Sequence, residues 1–219
     1  MWRGPEQVRN VPRVRFTRGQ LESFRGGTLP DLLGPDVRLL FVGIKPGLWT
    51  VAVQSHFGRR GNRFYPALHR AGITDRVIDA SEGFMPEDVA HLSERGVGIT
   101  NLVPLATARA DEIDAAALVA GGQALRRRVA RIDPAVVAIL GISAYRVAFD
   151  RRRAAVGRQP TDLGAAQLWV VPNPSGLNAH ATVTSLATAY REAAVAAGIA
   201  VYPSRNLRDV SSDAAGSLE

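Results

Sequence analysis

The chain has 219 residues, 46% of them hydrophobic, and no run of the roughly 18 consecutive apolar residues that a membrane span requires, so it fits one cytoplasmic domain with a substantial core. It contains no cysteine, which excludes disulfides, thiolate zinc sites, cysteine-ligated iron–sulfur clusters and a cysteine nucleophile; its four histidines, His56, His69, His91 and His180, show no compact metal-binding spacing, so a metal cofactor is not expected. Lys and Arg number 27 against 20 Asp and Glu, almost all of the positive charge being arginine, and the resulting net charge of +7 favours a polyanionic partner, nucleic acid first, unless it reflects codon preference alone.

Residues 1–36 are rich in Arg, Gly and Pro and read as a mostly irregular arm with one short helix near Gly19–Phe24. The basic start Met1-Trp2-Arg3-Gly4-Pro5 has no apolar stretch behind it, so no secretion signal is expected. A domain then runs over 37–203. Arg38–Ile44 is a short apolar run ended by Lys45-Pro46-Gly47, a buried strand entering a loop. Asn62–Ala71 has helical spacing and stops at Gly72; Pro86 suits the first position of a helix through Glu94. Val97–Val103 is a second strand, Asp111 to Ile113 precede a long helical stretch that runs through Ala124, Leu125 and Val129, Pro134–Leu140 is a third strand and Ser143–Phe149 a short helix. Leu168–Val171 is a fourth strand, Ala181–Ala197 the last helix with Thr182 or Thr184 as its cap, and Ile199–Val201 an optional edge strand. The polar tail 204–219 is expected to be disordered.

Continuous apolar strands alternating with helices imply an α/β fold with a mainly parallel sheet covered on both faces. Ligands in such folds sit beyond the carboxyl ends of the strands, which selects the loops after Ile44, Val103 and Val171. The first, Gly43-Ile44-Lys45-Pro46-Gly47-Leu48, has a backbone path fixed by two glycines and a proline and can offer amides to a phosphate or a carbonyl oxygen. The last, Pro172-Asn173-Pro174-Ser175-Gly176-Leu177-Asn178-Ala179-His180, is a stiff polar loop with a leucine at its apex. That leucine either wedges between bases or folds back onto the core.

These two loops, with Gly61-Asn62-Arg63-Phe64-Tyr65, Gly98-Ile99-Thr100-Asn101-Leu102-Val103, Ala120-Gly121-Gly122 and Ala138-Ile139-Leu140-Gly141 in order between them, resemble the mismatch-specific uracil/thymine-DNA glycosylases over roughly 37–197. The resemblance implies a three-layer α/β/α sandwich and a monomeric enzyme, used at the bacterial nucleoid, that flips a mismatched or damaged base, uracil above all, from double-stranded DNA and hydrolyses its bond to the sugar without metal or cofactor. It implies a monofunctional glycosylase. Gly43, Ile44, Phe57 and Asn173 would form the base pocket, Phe57 by stacking, with backbone amides near Ile44 and Phe57 stabilising the departing oxygen. Leu177 would fill the gap in the duplex, Gly176 and Asn178 would meet the orphaned guanine or its backbone, and Ser175, Arg59, Arg60, Arg63 and His180 would contact phosphates. Arg126–Arg128 and Arg151–Arg153 read as solvated faces or ion-pair partners.

At one position the chain departs from that pattern. Lys45 stands where the family commonly has an asparagine that positions the attacking water, and a protonated lysine has no acceptor with which to do so. Three readings follow: Lys45 is deprotonated by burial and acts as base or nucleophile; it stays charged and stabilises the leaving base or a phosphate; or another group holds the water, Asn101 first, with an acidic residue of 75–88 as a further choice. Two other functions compete with excision. One is a mismatch- or lesion-binding protein with weak or lost catalysis, the other an α/β enzyme for free nucleotides.

Overall fold

The computed structural model describes residues 15–179 and 181–203; the tail 204–219 and His180, both named above, lie outside them. The chain forms helix α1 (Arg18–Glu22), β1 (Leu39–Gly43), α2 (Leu48–Ala52), α3 (Phe64–Arg70), α4 (Pro86–Glu94), β2 (Val97–Asn101), α5 (Ala115–Ile132), β3 (Val136–Leu140), α6 (Ile142–Ala148), β4 (Gly157–Arg158), β5 (Gln167–Val171) and α7 (Val183–Ala196). The sheet order is β2-β1-β3-β5-β4, parallel throughout except for β4, which runs antiparallel to β5.

The alternation of strand residues divides the core in two. Leu39 and Phe41 of β1 and Ala138 and Leu140 of β3 point to one face, where Phe64 and Leu68 of α3, Leu92 of α4 and Leu186 and Tyr190 of α7 cover them. Leu40, Val42, Val137 and Ile139 point to the other, under Leu125 and Val129 of α5 and Ala144 and Tyr145 of α6. The result is the three-layer α/β/α sandwich expected, with β1 and β3 buried on both sides.

Local chemistry sets the helix boundaries. Thr17 caps α1 through a reciprocal box with Gln20, and Thr182, rather than Thr184, caps α7. Pro86 opens α4 with Glu87 and Asp88 in its first turn. The long central helix begins just after Asp111–Ile113, as its sequence suggests: Asp114 is its cap, and Ala110–Glu112 form a separate 3₁₀ turn.

Three features differ from the sequence reading. Leu48–Ala52, read only as loop, makes the short helix α2. β4, only two residues long, escapes any periodicity test. The optional strand at 199–201 does not form; Ile199 is buried beside α7, and the Tyr202 amide donates to the Gly72 carbonyl (2.8 Å) instead of extending the sheet. The segment before Val37 is tied to the domain. Leu32 exchanges both backbone hydrogen bonds with Ile99 (2.9 and 2.8 Å), which pairs the outer edge of β2.

Candidate active site at the carboxyl ends of the strands

A cavity of about 650 Å³ opens where β1, β2, β3 and β5 end. Gly43, Ile44, Lys45, Phe57, Asn101 and Asn173 contribute to its walls, and Arg59, Ser175 and Leu177 to its rim. All residues expected of the base pocket thus share one space.

The pairing of β1 with β2 sets Gly43 opposite Asn101. A Cβ on Gly43 would lie 2.5 Å from Asn101 Oδ1 and 3.4 Å from the Phe57 ring, so glycine lets both side chains close over the strand end. Phe57 has φ +55°, a left-handed conformation that a bulky residue adopts only when its surroundings impose it. Its ring stacks on the fully buried Phe64 (centroids 4.1 Å, 27°), which fixes one face against the core. On the opposite wall, a Cβ on Gly141 would lie 3.4 Å from Ile44 Cδ1 and 3.7 Å from Asn173 Nδ2, which brings Ile44 and Asn173 together.

Asn101 is held from two directions. His56 is buried, and its Nε2 lies 2.9 Å from the Pro30 carbonyl. A carbonyl only accepts, so Nε2 carries the proton and Nδ1 is left as acceptor for Asn101 Nδ2 at 3.5 Å. Burial pushes the His56 pKa down, opposed by the Pro30 carbonyl and Asp31, which keeps the ring neutral. Behind the strand, Arg128 donates to the Asn101 carbonyl (2.9 Å) and to Thr100 Oγ1 (2.6 Å), and its Nε lies 3.3 Å from Asp31, which also accepts from Thr100 (2.6 Å). The sequence reading missed this brace. Arg128, read as part of a solvated face or as an ion-pair partner, is the latter: it lies seven residues after Gly121 and three after Leu125, the buried stripe of α5, so helical spacing turns it toward the sheet and Asp31.

The loop after β5 is stiff because its polar atoms are spent on itself. Asn173 Oδ1 accepts from the Ser175 amide (2.9 Å), Asn178 Nδ2 donates to the Asn173 carbonyl (3.1 Å) and Ser175 Oγ accepts from the Leu177 amide (3.3 Å). Gly176 abuts Gly61: an added Cβ would meet its carbonyl at 2.8 Å. Leu177 is left at the tip, 81% exposed, so it does not fold back onto the core.

The arginines divide. Arg63 is no surface phosphate contact; its guanidinium turns inward and donates to the carbonyls of Ser175, Asn178 and Ala181, clamping the leucine loop to α3. Arg60 is exposed, off the cavity, and pairs with Glu82 (2.7 Å). Arg59 stands exposed on the rim.

Lys45 is half-buried and donates from Nζ to the Thr107 carbonyl. Burial lowers its pKa to about 8; Glu112 opposes the shift, while Arg25 and Arg59 reinforce it. The 107–112 segment that meets it, including the paired Arg109 and Asp111, forms a wall within the loop after Val103 that the strand pattern selected, although no motif singled out its residues.

Residues 30–196 match the family model of the uracil DNA glycosylase superfamily, and the chain belongs to that superfamily. Its members are DNA glycosylases, which hydrolyse N-glycosidic bonds in DNA. The fold is similar to the solution NMR structure of a protein from Methanosarcina acetivorans described as a candidate uracil DNA glycosylase, with a TM-score of 0.52 and 14% identity, covering 77% of this chain and 97% of that one.

Proposed function

We propose that the protein excises uracil from mismatched duplex DNA, as the mismatch-specific branch of the superfamily does, by extruding the nucleotide into the cavity at the strand ends. The observation that carries this reading is Leu177, an apolar side chain held in solvent at the tip of a rigid loop, on the rim of a cavity that offers one ring for stacking and an oriented amide. Extrusion costs a few kcal/mol, least at a mismatch, and a wedge in the vacated space opposes return of the base. Inside, Phe57 stacks on the base and Ile44 and Asn173 flank it. Asn101 holds the attacking water, and the protonated form of Lys45 stabilises the departing anionic base. Ser175, Gly176, Asn178 and Arg59 meet the backbone and the orphaned partner.

The test is a panel of duplexes carrying U:G, U:A, T:G, hypoxanthine and ethenocytosine, followed by alkali cleavage of abasic sites. Uracil opposite guanine should react fastest. No product on any duplex overturns the reading. The substitution at Lys45 supports one second reading, a lesion-binding protein without turnover, for which salt-sensitive binding to U:G without product is the signature and Lys45→Asn should restore excision.

A further inference from the structure

Among the 27 Lys and Arg residues of this chain a single one is lysine, and it is Lys45, in the wall of the candidate active site. The distinction is chemical. A guanidinium stays protonated in proteins and offers no nucleophilic electron pair, whereas an ε-amine in a desolvated setting releases its proton near neutral pH. The surroundings of Lys45 favour release. The group is half-buried, Arg25 and Arg59 act on it from α1's end and the cavity rim, and only Glu112 and the Thr107 carbonyl that accepts from Nζ pull the other way. Asp111 and Arg109, which line the same wall, are spent on each other, and the buried His56 is neutral.

Its position matters as much as its basicity. With a base stacked on Phe57 and Leu177 in the duplex, the deoxyribose must lie between them, and Lys45 lines the cavity that joins these two residues. From this placement we propose that Lys45 forms a Schiff base with the aldehyde of an abasic site, so that the protein cleaves the strand at abasic sites instead of stopping at base hydrolysis. The proposal rests on the reading that the cavity receives an extruded nucleotide, but it does not require that the protein remove the base.

The steps balance with water as the only co-reactant. The Nζ electron pair adds to C1′ of the ring-opened sugar, and loss of water leaves an iminium. A proton leaves C2′ for water, its electron pair forms the C2′–C3′ double bond, and the C3′–O bond breaks with departure of the 5′-phosphorylated strand. Water then hydrolyses the iminium, which returns the amine and leaves an unsaturated aldehyde on the new 3′ end.

The test uses the full chain and a duplex whose abasic site has been made beforehand by an unrelated uracil-excising enzyme. With sodium borohydride present, a covalent protein–DNA adduct should form and peptide mapping should place it on Lys45; without borohydride the strand should be nicked. Adduct yield should climb as pH rises through about 8, as the amine loses its proton. Both Lys45→Met and Lys45→Arg should abolish adduct and nicking while still binding a duplex with a reduced, unreactive abasic site, which shows that the variants are folded. An adduct that persists in these variants, on the chain's α-amine, overturns the proposal, as does the absence of any adduct with the unaltered protein. Adduct formation without uracil excision supports this proposal and removes only the excision reading; excision without an adduct does the reverse.

Discussion

Among the described residues, two large cavities are of nearly equal size and opposite construction. The one at the strand ends measures about 650 Å³; the other, beside α6 and β4, about 700 Å³, and is ringed by Arg151, Arg152, Arg153 and Arg158. By charge the second is the better receptor for a polyanion. Yet its arginines are exposed, Arg152 facing Asp150 (4.0 Å) and Arg158 paired with Asp162, and its buried amide, Gln159, spends both hydrogens on the carbonyls of Ala155 and Gly157 (2.8 and 2.9 Å). The first cavity has less charge, but its Asn101 is gripped from behind by other groups and still reaches the void. A void that holds a polar group oriented from behind is a site; a larger void whose buried amide is spent on nearby carbonyls is a surface feature.

The sharpest way to break this comparison is to remove one amide from each cavity. Asn101→Ala should lower the single-turnover excision rate on U:G duplex by roughly 10²–10³-fold, the effect of losing an oriented group at a reacting centre. Gln159→Ala should lower thermal stability and leave the rate per folded molecule unchanged. Equal effects on excision would erase the distinction between the two cavities.

The brace behind Asn101 comes next. Asp31→Ala or Arg128→Leu should slow excision by about 10- to 100-fold, the scale of a displacement near 1 Å at a reacting centre, with affinity for an abasic duplex preserved. His56 adds a pH signature. Its folded pKa lies below its ordinary value, so the ring is neutral in both folded and unfolded chains above pH 6.5 and contributes no pH dependence there. As pH falls beneath that value the unfolded chain takes up the proton first, and stability declines. Further acidification protonates Nδ1 in the folded chain and turns the acceptor of the Asn101 amide into a donor, so excision should fall with it. A His56→Gln variant whose acid limb is unchanged would show that another group titrates.

Leu177→Ala should cost roughly tenfold in excision on U:G, a small share of the unstacking energy, and less where the base is already unpaired, as in single-stranded DNA. An equal loss on paired and unpaired substrates would mean that Leu177 does not act as a wedge.

How much of this was legible without coordinates follows from sequence separation. The four parallel strands, their faces and the two loops were readable because each rests on neighbouring residues: apolar runs, a proline at a helix start, glycines at strand ends. The chain's departure at Lys45 was equally visible. The brace was not, since it joins Pro30 and Asp31, His56, Thr100 and Asn101, and Arg128, which meet only once β2 lies beside β1 and α5 crosses it. Arg63 misled for the opposite reason. An arginine in a polar, glycine-flanked stretch reads as a phosphate contact, and only the folded loop reveals three carbonyls converging on it. The loop after Val103 was selected by the strand pattern, but the meeting of its 107–112 wall with Lys45 was not legible, because it runs through a backbone carbonyl, which any residue supplies.

The smallest effect belongs to the arginine cavity. Arg152→Ser with Arg153→Ser removes two exposed charges whose side chains hold no part of the fold, so stability should change by no more than about 0.5 kcal/mol per site. If that surface lies off the DNA path, the slope of log affinity against log salt for a U:G duplex should also be unchanged. Were both residues on phosphates, the slope would shrink by about 1.8, the release of roughly 0.9 counterion per neutralised phosphate. Arg59→Ser, on the rim of the strand-end cavity, supplies the internal standard: a change of about 0.9 is expected there. A slope that responds at Arg152 and Arg153 but not at Arg59 would move the DNA to the other cavity and reverse the assignment of the two.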